Sequence, residues 1–149
     1  MPIKLVPDSN VFMKLLFDEV DSDEARVLFK TCALSQTHLL VPELFKYEIA
    51  EVTRYFKASL AKSLTLFDAH EQTIMRVIPP TKDMWLLAEE ISLLGHQQSG
   101  YPSIYDSIYH AIAIKEKAIF ITADKRHYHK SKSFGNIQLL ENWEKVFVD

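Results

Sequence analysis

The sequence predicts an α/β domain whose central, mostly parallel sheet is flanked by helices. Two observations carry that prediction. Short apolar runs of three to five residues recur along the chain. Between them lie longer stretches in which apolar residues return every three or four positions, the period of a helix with one buried face. Strands that alternate with helices pair in parallel, because each helix carries the chain back to the edge of the sheet from which it started.

Residues 3–7 form the first apolar run, and a helix is expected over residues 10–17. A second helix begins near Asp21, where Asp21-Ser22-Asp23-Glu24 has the form of a capping box. Its apolar side holds Ala25, Leu28, Phe29 and Cys32. Residues 38–41 are the second run, and Pro42 suits the first turn of the long helix that follows. Phe45, Ile49, Val52 and Phe56 make a buried stripe along that helix. Another helical stretch covers residues 59–75, and a third short strand, 76–78, is closed by Pro79-Pro80.

Thr81 is placed to cap a helix whose face is Met84, Leu87, Ala88, Ile91 and Leu94. A loop at 98–102 ends it, and Ser103 opens the next helix, with Ile104, Ile108, Ala111 and Ile112 as its inner face. Residues 118–122, Ala-Ile-Phe-Ile-Thr, are the most strand-like run in the chain. A short basic helix or loop follows, then a last strand at 137–140. There is no repeat, low-complexity tract or linker, so residues 1–149 read as one domain.

Composition removes several function classes. With 48% hydrophobic and 25% charged residues, the chain has the balance of an ordinary globular protein. No apolar run approaches the roughly 20 residues of a membrane span. Met1-Pro2-Ile3-Lys4 does not open a secretory signal, so a cytoplasmic protein is expected. A single cysteine, Cys32, excludes an internal disulfide and a multi-cysteine zinc site, and its place on an apolar face makes it a packing residue. Three glycines form no phosphate-cradling loop, and no G-x-S-x-G elbow is present. Net charge is −3, which gives no general pull on nucleic acid. The charge is uneven, however: residues 125–140 contain no acid but hold Lys125, Arg126, Lys130 and Lys132 beside His127 and His129.

Four acids stand where chemistry is possible. Asp8 and Asp124 follow strands, at the edge where open α/β sheets bind ligands, although either suits a helix cap equally well. Glu48 flanks the buried stripe of its helix, where a carboxylate either meets a cation or swings out to water. Asp106 lies one turn inside the helix opened by Ser103 and is either part of that cap or free for another role. Gathered together, four carboxylates repel unless a divalent ion neutralises them, and an all-oxygen set suits Mg²⁺ or Mn²⁺ rather than zinc. Such a site activates water for attack on a phosphodiester.

The segments Val6-Pro7-Asp8-Ser9-Asn10, Val41-Pro42-Glu43-Leu44-Phe45-Lys46-Tyr47-Glu48-Ile49, Tyr105-Asp106-Ser107-Ile108-Tyr109-His110-Ala111 and Ile121-Thr122-Ala123-Asp124 resemble the four signatures of PIN-domain ribonucleases. They occur in the family's order and span residues 6–124. Small stand-alone PIN proteins include the VapC-type toxins of bacterial toxin–antitoxin pairs, which the chain resembles.

The resemblance implies a PIN-like fold and an endoribonuclease that needs Mg²⁺ or Mn²⁺ and leaves a 5′-phosphate and a 3′-hydroxyl. It makes Asp8, Glu48, Asp106 and Asp124 the catalytic, metal-binding acids, with Ser9, Asn10 and Thr122 as neighbours that orient them. It implies an RNA substrate, a cognate antitoxin and a homodimer, the last served by Tyr55, Phe56, Leu60, Leu64 and Phe67. Lys125, Arg126, Lys130 and Lys132 are expected to follow the RNA backbone. Pro7 departs from the apolar strand residue usual before the first aspartate, and Glu43 puts a second acid in the Glu48 segment. The rivals are a phosphatase or DNA nuclease using the same acids, and a module that binds RNA or protein without cleaving.

Overall fold

Parallel pairing organises the protein around its first strand. The computed structural model describes residues 2–93 and 100–148. Strands β1 (Lys4–Pro7), β2 (His38–Pro42), β3 (Met75–Ile78), β4 (Ile119–Thr122) and β5 (Ile137–Leu139) form one sheet in the order β3-β2-β1-β4-β5. Every pairing is parallel, with Leu5 opposite Leu39 on one side and Ile119 on the other. Helices cover both faces, which is why the strands read as continuous apolar runs rather than alternating ones.

The chain winds outward from β1 through β2 to β3, then crosses to β4 and β5 on the far side of β1. The direction of winding therefore reverses between β1 and β4. In open sheets the carboxyl edge at such a reversal is a natural crevice, because the connections leave in opposite directions. Asp8 directly follows β1, and Asp124 lies two residues beyond β4.

Seven helices connect the described strands: α1 (Ser9–Met13), α2 (Ser22–Ser35), α3 (Leu44–Tyr55), α4 (Leu60–Glu71), α5 (Lys82–Leu93), α6 (Ile104–Lys115) and α7 (Lys125–Ser131). Phe12 on α1 is the aromatic hub of one face, edge-on to Phe29, Phe45 and His70 at 5.3–5.9 Å. Helix α6 is the most enclosed, with every residue from Ser107 to Ala113 buried.

The structure shortens several expected elements. Helix α1 ends at Met13 because Lys14 turns inward, where its buried ammonium is clasped by Asp21 at 2.7 Å and Glu19 at 3.5 Å. Asp21 is thereby drawn away from α2 and makes no capping bond, so the expected capping box does not form. Ser22 instead ties the turn, accepting the Glu19 N–H and donating to the Phe17 carbonyl. Pro42 closes β2 opposite Ile78, and α3 starts two residues later.

Helix α4 ends at Glu71, leaving a turn before β3. Phe56 drops out of the buried stripe because α3 stops at Tyr55; it lies half exposed, 5.1 Å from Phe17. Ile104 is also exposed. Leu94 and residues 98–99 of the expected loop lie outside the described residues. Cys32 is fully buried, and burial pushes its thiol up to about 12, which suits a packing residue. No described helix is long and apolar enough to cross a membrane.

Candidate active site

The carboxyl edge between β1 and β4 holds the acids. Asp8 directly follows β1, and its N–H extends the sheet by donating to the Ile121 carbonyl at 2.8 Å. Its side chain is 5% exposed and accepts the Thr122 hydroxyl on Oδ2 at 2.9 Å. Oδ1 lies 3.5 Å from both the Ser9 hydroxyl and the Asn10 N–H, so Asp8 also caps α1. Asp124 caps α7 in the same manner, accepting the N–H groups of Arg126 and His127 at 3.0 and 3.1 Å. Both aspartates thus do the structural task the sequence allowed.

The turn itself is knitted by the polar neighbours. Thr122 Oγ1 donates to Asp8 and accepts the Asp124 N–H at 3.1 Å. The Asn10 side-chain carbonyl accepts the Ala123 N–H at 3.3 Å, joining α1 to the loop after β4. Thr122 is completely buried, so removing its hydroxyl strands an acceptor and a donor together. Thr122→Val is expected to cost about 2–3 kcal/mol in urea denaturation, and Thr122→Ser to recover most of it. A valine variant within about half a kcal/mol of wild type would show that this hydroxyl does not hold the edge together.

Asp106 and Glu48 come from the helices above. Asp106 sits in the first turn of α6, its N–H held by the Ser103 hydroxyl at 3.1 Å, and the same serine acts on its carboxylate. Glu48 projects from α3, and Tyr109 of α6 donates its phenolic hydrogen to Oε1 at 2.5 Å. Glu43 is exposed and has no part in this group, so the geometry draws in Glu48 rather than Glu43.

Electrostatics tie the four acids into one cluster. Burial first, then the negative charge of Asp106 and that of Glu48, push Asp8 up to about 7 against the pull of Thr122 and Asn10. Glu48 is raised by burial and by Asp106, with Tyr109 and Ser9 opposing. Asp106 is raised by burial and by Asp124, with Ser103 and Lys130 opposing. Asp106 therefore feels, or is felt by, each of the other three. Among the described residues none of the four is in a salt bridge. Nor do three acid or histidine side chains among those residues already converge as a closed coordination shell.

A set of hard oxygen donors, Asp8 buried and the other three half-buried, fits Mg²⁺ or Mn²⁺ in chemistry. The fit is one of donor type and charge: Asp8, Glu48 and Asp106 are raised first by burial and then by neighbouring carboxylates, and a cation relieves both.

Two residues play parts the sequence did not reveal. Tyr109 lay inside a recognised segment, but only its bond to Glu48, 61 positions away, singles it out. His127 counted among the basic residues after Asp124, yet it is buried on the inner side of α7, and burial pulls it down to about 4. It adds no positive charge at neutral pH. The lysines and arginine of that stretch remain toward solvent, with Lys125 3.6 Å from Glu141 and Lys130 close enough to Asp106 to favour its charged form.

The comparisons with known proteins agree with this architecture. No curated protein matches the chain by sequence. Among solved structures, VapBC-1 from nontypeable Haemophilus influenzae is similar with a TM-score of 0.69 at 13% identity, over 94% of this chain and 100% of that one. VapBC2 from Rickettsia felis, bound to a DNA fragment from its promoter, gives 0.67 at 14% identity over 92% and 97%. Mycobacterium tuberculosis VapC20, described as a sarcin–ricin loop cleaving toxin, gives 0.61 at 16% identity over 76% and 84%. At these identities the likeness is one of fold. The sequence profile of the PIN domain matches residues 5–133, a span that runs from β1 through α7 and includes all four acids. The chain belongs to the PIN domain family.

Proposed function

We propose that the protein is a metal-dependent endoribonuclease that hydrolyses RNA phosphodiester bonds, acting as the toxin of a type II toxin–antitoxin pair. One observation supports the reading: four acids from separate elements are linked electrostatically, the charge of Asp106 acting on Asp8 and on Glu48 and that of Asp124 acting on Asp106. Bound Mg²⁺ or Mn²⁺ would supply neutralisation of the phosphodiester and activation of water for in-line attack.

The chain's own contribution is to hold and orient. Asp8, Glu48, Asp106 and Asp124 would hold the ion. Thr122, Ser9 and Asn10 keep Asp8 and the loop after β4 in fixed relation. Lys130 places an ammonium near the acids, where the phosphate backbone would run, and Arg126 and Lys132 extend that positive track. The likeness to VapBC structures supports an antitoxin as protein partner. Exposed Tyr55, Phe56 and Leu60 leave apolar surface for a second copy, whereas Phe67 is spent in the core.

Incubation with structured RNA and Mn²⁺ is expected to yield fragments with 5′-phosphate ends. EDTA should stop the reaction and excess Mn²⁺ restore it. Cleavage of the matching DNA, or hydrolysis of a phosphate monoester instead of RNA, would replace this reading with the nuclease or phosphatase alternative. RNA binding without any cut in Mn²⁺ would make the protein a binding module.

A further inference from the structure

We infer that Tyr109 is a positioning residue for the acid site, its phenol holding one oxygen of Glu48 so that the other is presented to a divalent cation. The inference rests on the metal reading above and assigns a residue to it. Tyr109 is fully buried, and its ring lies parallel to Phe120 of β4 at 5.8 Å with 24° between planes. The ring is therefore fixed by the sheet beneath the site, and the hydroxyl has one direction in which to point. It points to Glu48 Oε1, at 2.5 Å, the short contact of a hydrogen bond to a charged acceptor.

Packing alone does not account for this pair. Phenylalanine would fill the same space without bringing a hydroxyl among the acids. A buried hydroxyl is satisfied by any backbone carbonyl, yet here its acceptor is a half-buried carboxylate that already feels Asp106. The donated hydrogen bond, from a ring that cannot turn away, holds that carboxylate in one rotamer. Glu48 belongs to α3, and besides Tyr109 only the Ser9 hydroxyl at the start of α1 acts on it, whereas Asp8 and Asp124 are fixed by the strand ends they follow. Tyr109 gives Glu48 the equivalent of that anchorage.

The test is Tyr109→Phe, which removes one hydroxyl and keeps the ring on Phe120. Mn²⁺ binding to the metal-free full chain, followed by calorimetry, is expected to weaken by about 10- to 100-fold, the usual consequence of losing a group that orients a ligand. Cleavage at saturating Mn²⁺ should recover toward wild type, with the KM for RNA unchanged. In a Glu48→Gln background, Tyr109→Phe should make no further difference to Mn²⁺ affinity. Wild-type affinity in Tyr109→Phe overturns the inference alone. Equal weakening in both backgrounds also overturns it, since the effect would not run through Glu48. Absence of Mn²⁺ binding by the wild-type protein overturns the metal reading and this inference with it.

Discussion

Asp8→Asn is expected to abolish RNA cleavage while making the metal-free protein more stable at neutral pH. Asp8 is buried, and its carboxyl stands at about 7 in the folded protein against 3.8 for an ordinary aspartate. Between those values the folded chain retains a proton that the unfolded chain has released. Stability from this group is therefore complete below about pH 4, declines as the pH rises, and levels off above about pH 7. The shift corresponds to a few kcal/mol at most. Asparagine has no charge to desolvate but receives the Thr122 hydroxyl less well, so the net gain is set at about 2 kcal/mol, or roughly 4–8 °C in melting temperature.

Melting curves in EDTA check this directly. The advantage of the variant should vanish near pH 4 and grow until about pH 7. A variant less stable than wild type at neutral pH, or a difference independent of pH, would mean that Asp8 is held as a satisfied cap and not as a strained acid. Adding Mn²⁺ at ten times its dissociation constant should then narrow or reverse the ranking. Wild type gains about 1.4 kcal/mol, and the variant clearly less.

Phe12→Ala is expected to be the most damaging single truncation in the core beside the site. Phe12 has no exposed surface and meets Phe29, Phe45 and His70 edge-on, so its loss opens a cavity between three helices and the sheet. The expected cost is about 3–5 kcal/mol, or roughly 6–20 °C. The damage reaches the chemistry, because Phe12 seats the short helix whose N-terminus Asp8 caps. Mn²⁺ affinity should therefore fall even in the fraction that stays folded. Urea unfolding that shows a loss below about 1 kcal/mol would mean that the surrounding helices collapse into the space and that Phe12 is not the hub.

The strands were legible because parallel strands covered on both faces leave continuous apolar runs, as in Leu39-Leu40-Val41 and Ile119-Phe120-Ile121. The positions of Asp8 and Asp124 were legible for the same reason, since each directly follows such a run. What local pattern does not hold is partner choice across the fold. The burial of Lys14 decides where α1 ends and what Asp21 does, and neither follows from the spacing around them. Thr81 and Ser103 cap as their sequences suggest, because those bonds are made within four residues. The Tyr109–Glu48 bond spans two helices and left no local trace. His127 looked basic beside its neighbours, and only the inward face of α7 makes it neutral.

The spread of the acids along the chain also sets a clock. Asp8 is synthesised 116 residues ahead of Asp124, and β1 cannot complete its pairing until β4 exists to lie beside it. At about 5–20 residues per second, roughly 6–20 s separate the two aspartates during translation. Throughout that interval the nascent chain carries some of the acids but lacks the strand that brings them to one edge. A chain that stops before β4 lacks the partner strand of β1, and with it the edge that Asp8 and Asp124 share. Assembly of the candidate site is thereby postponed until β4 has been made.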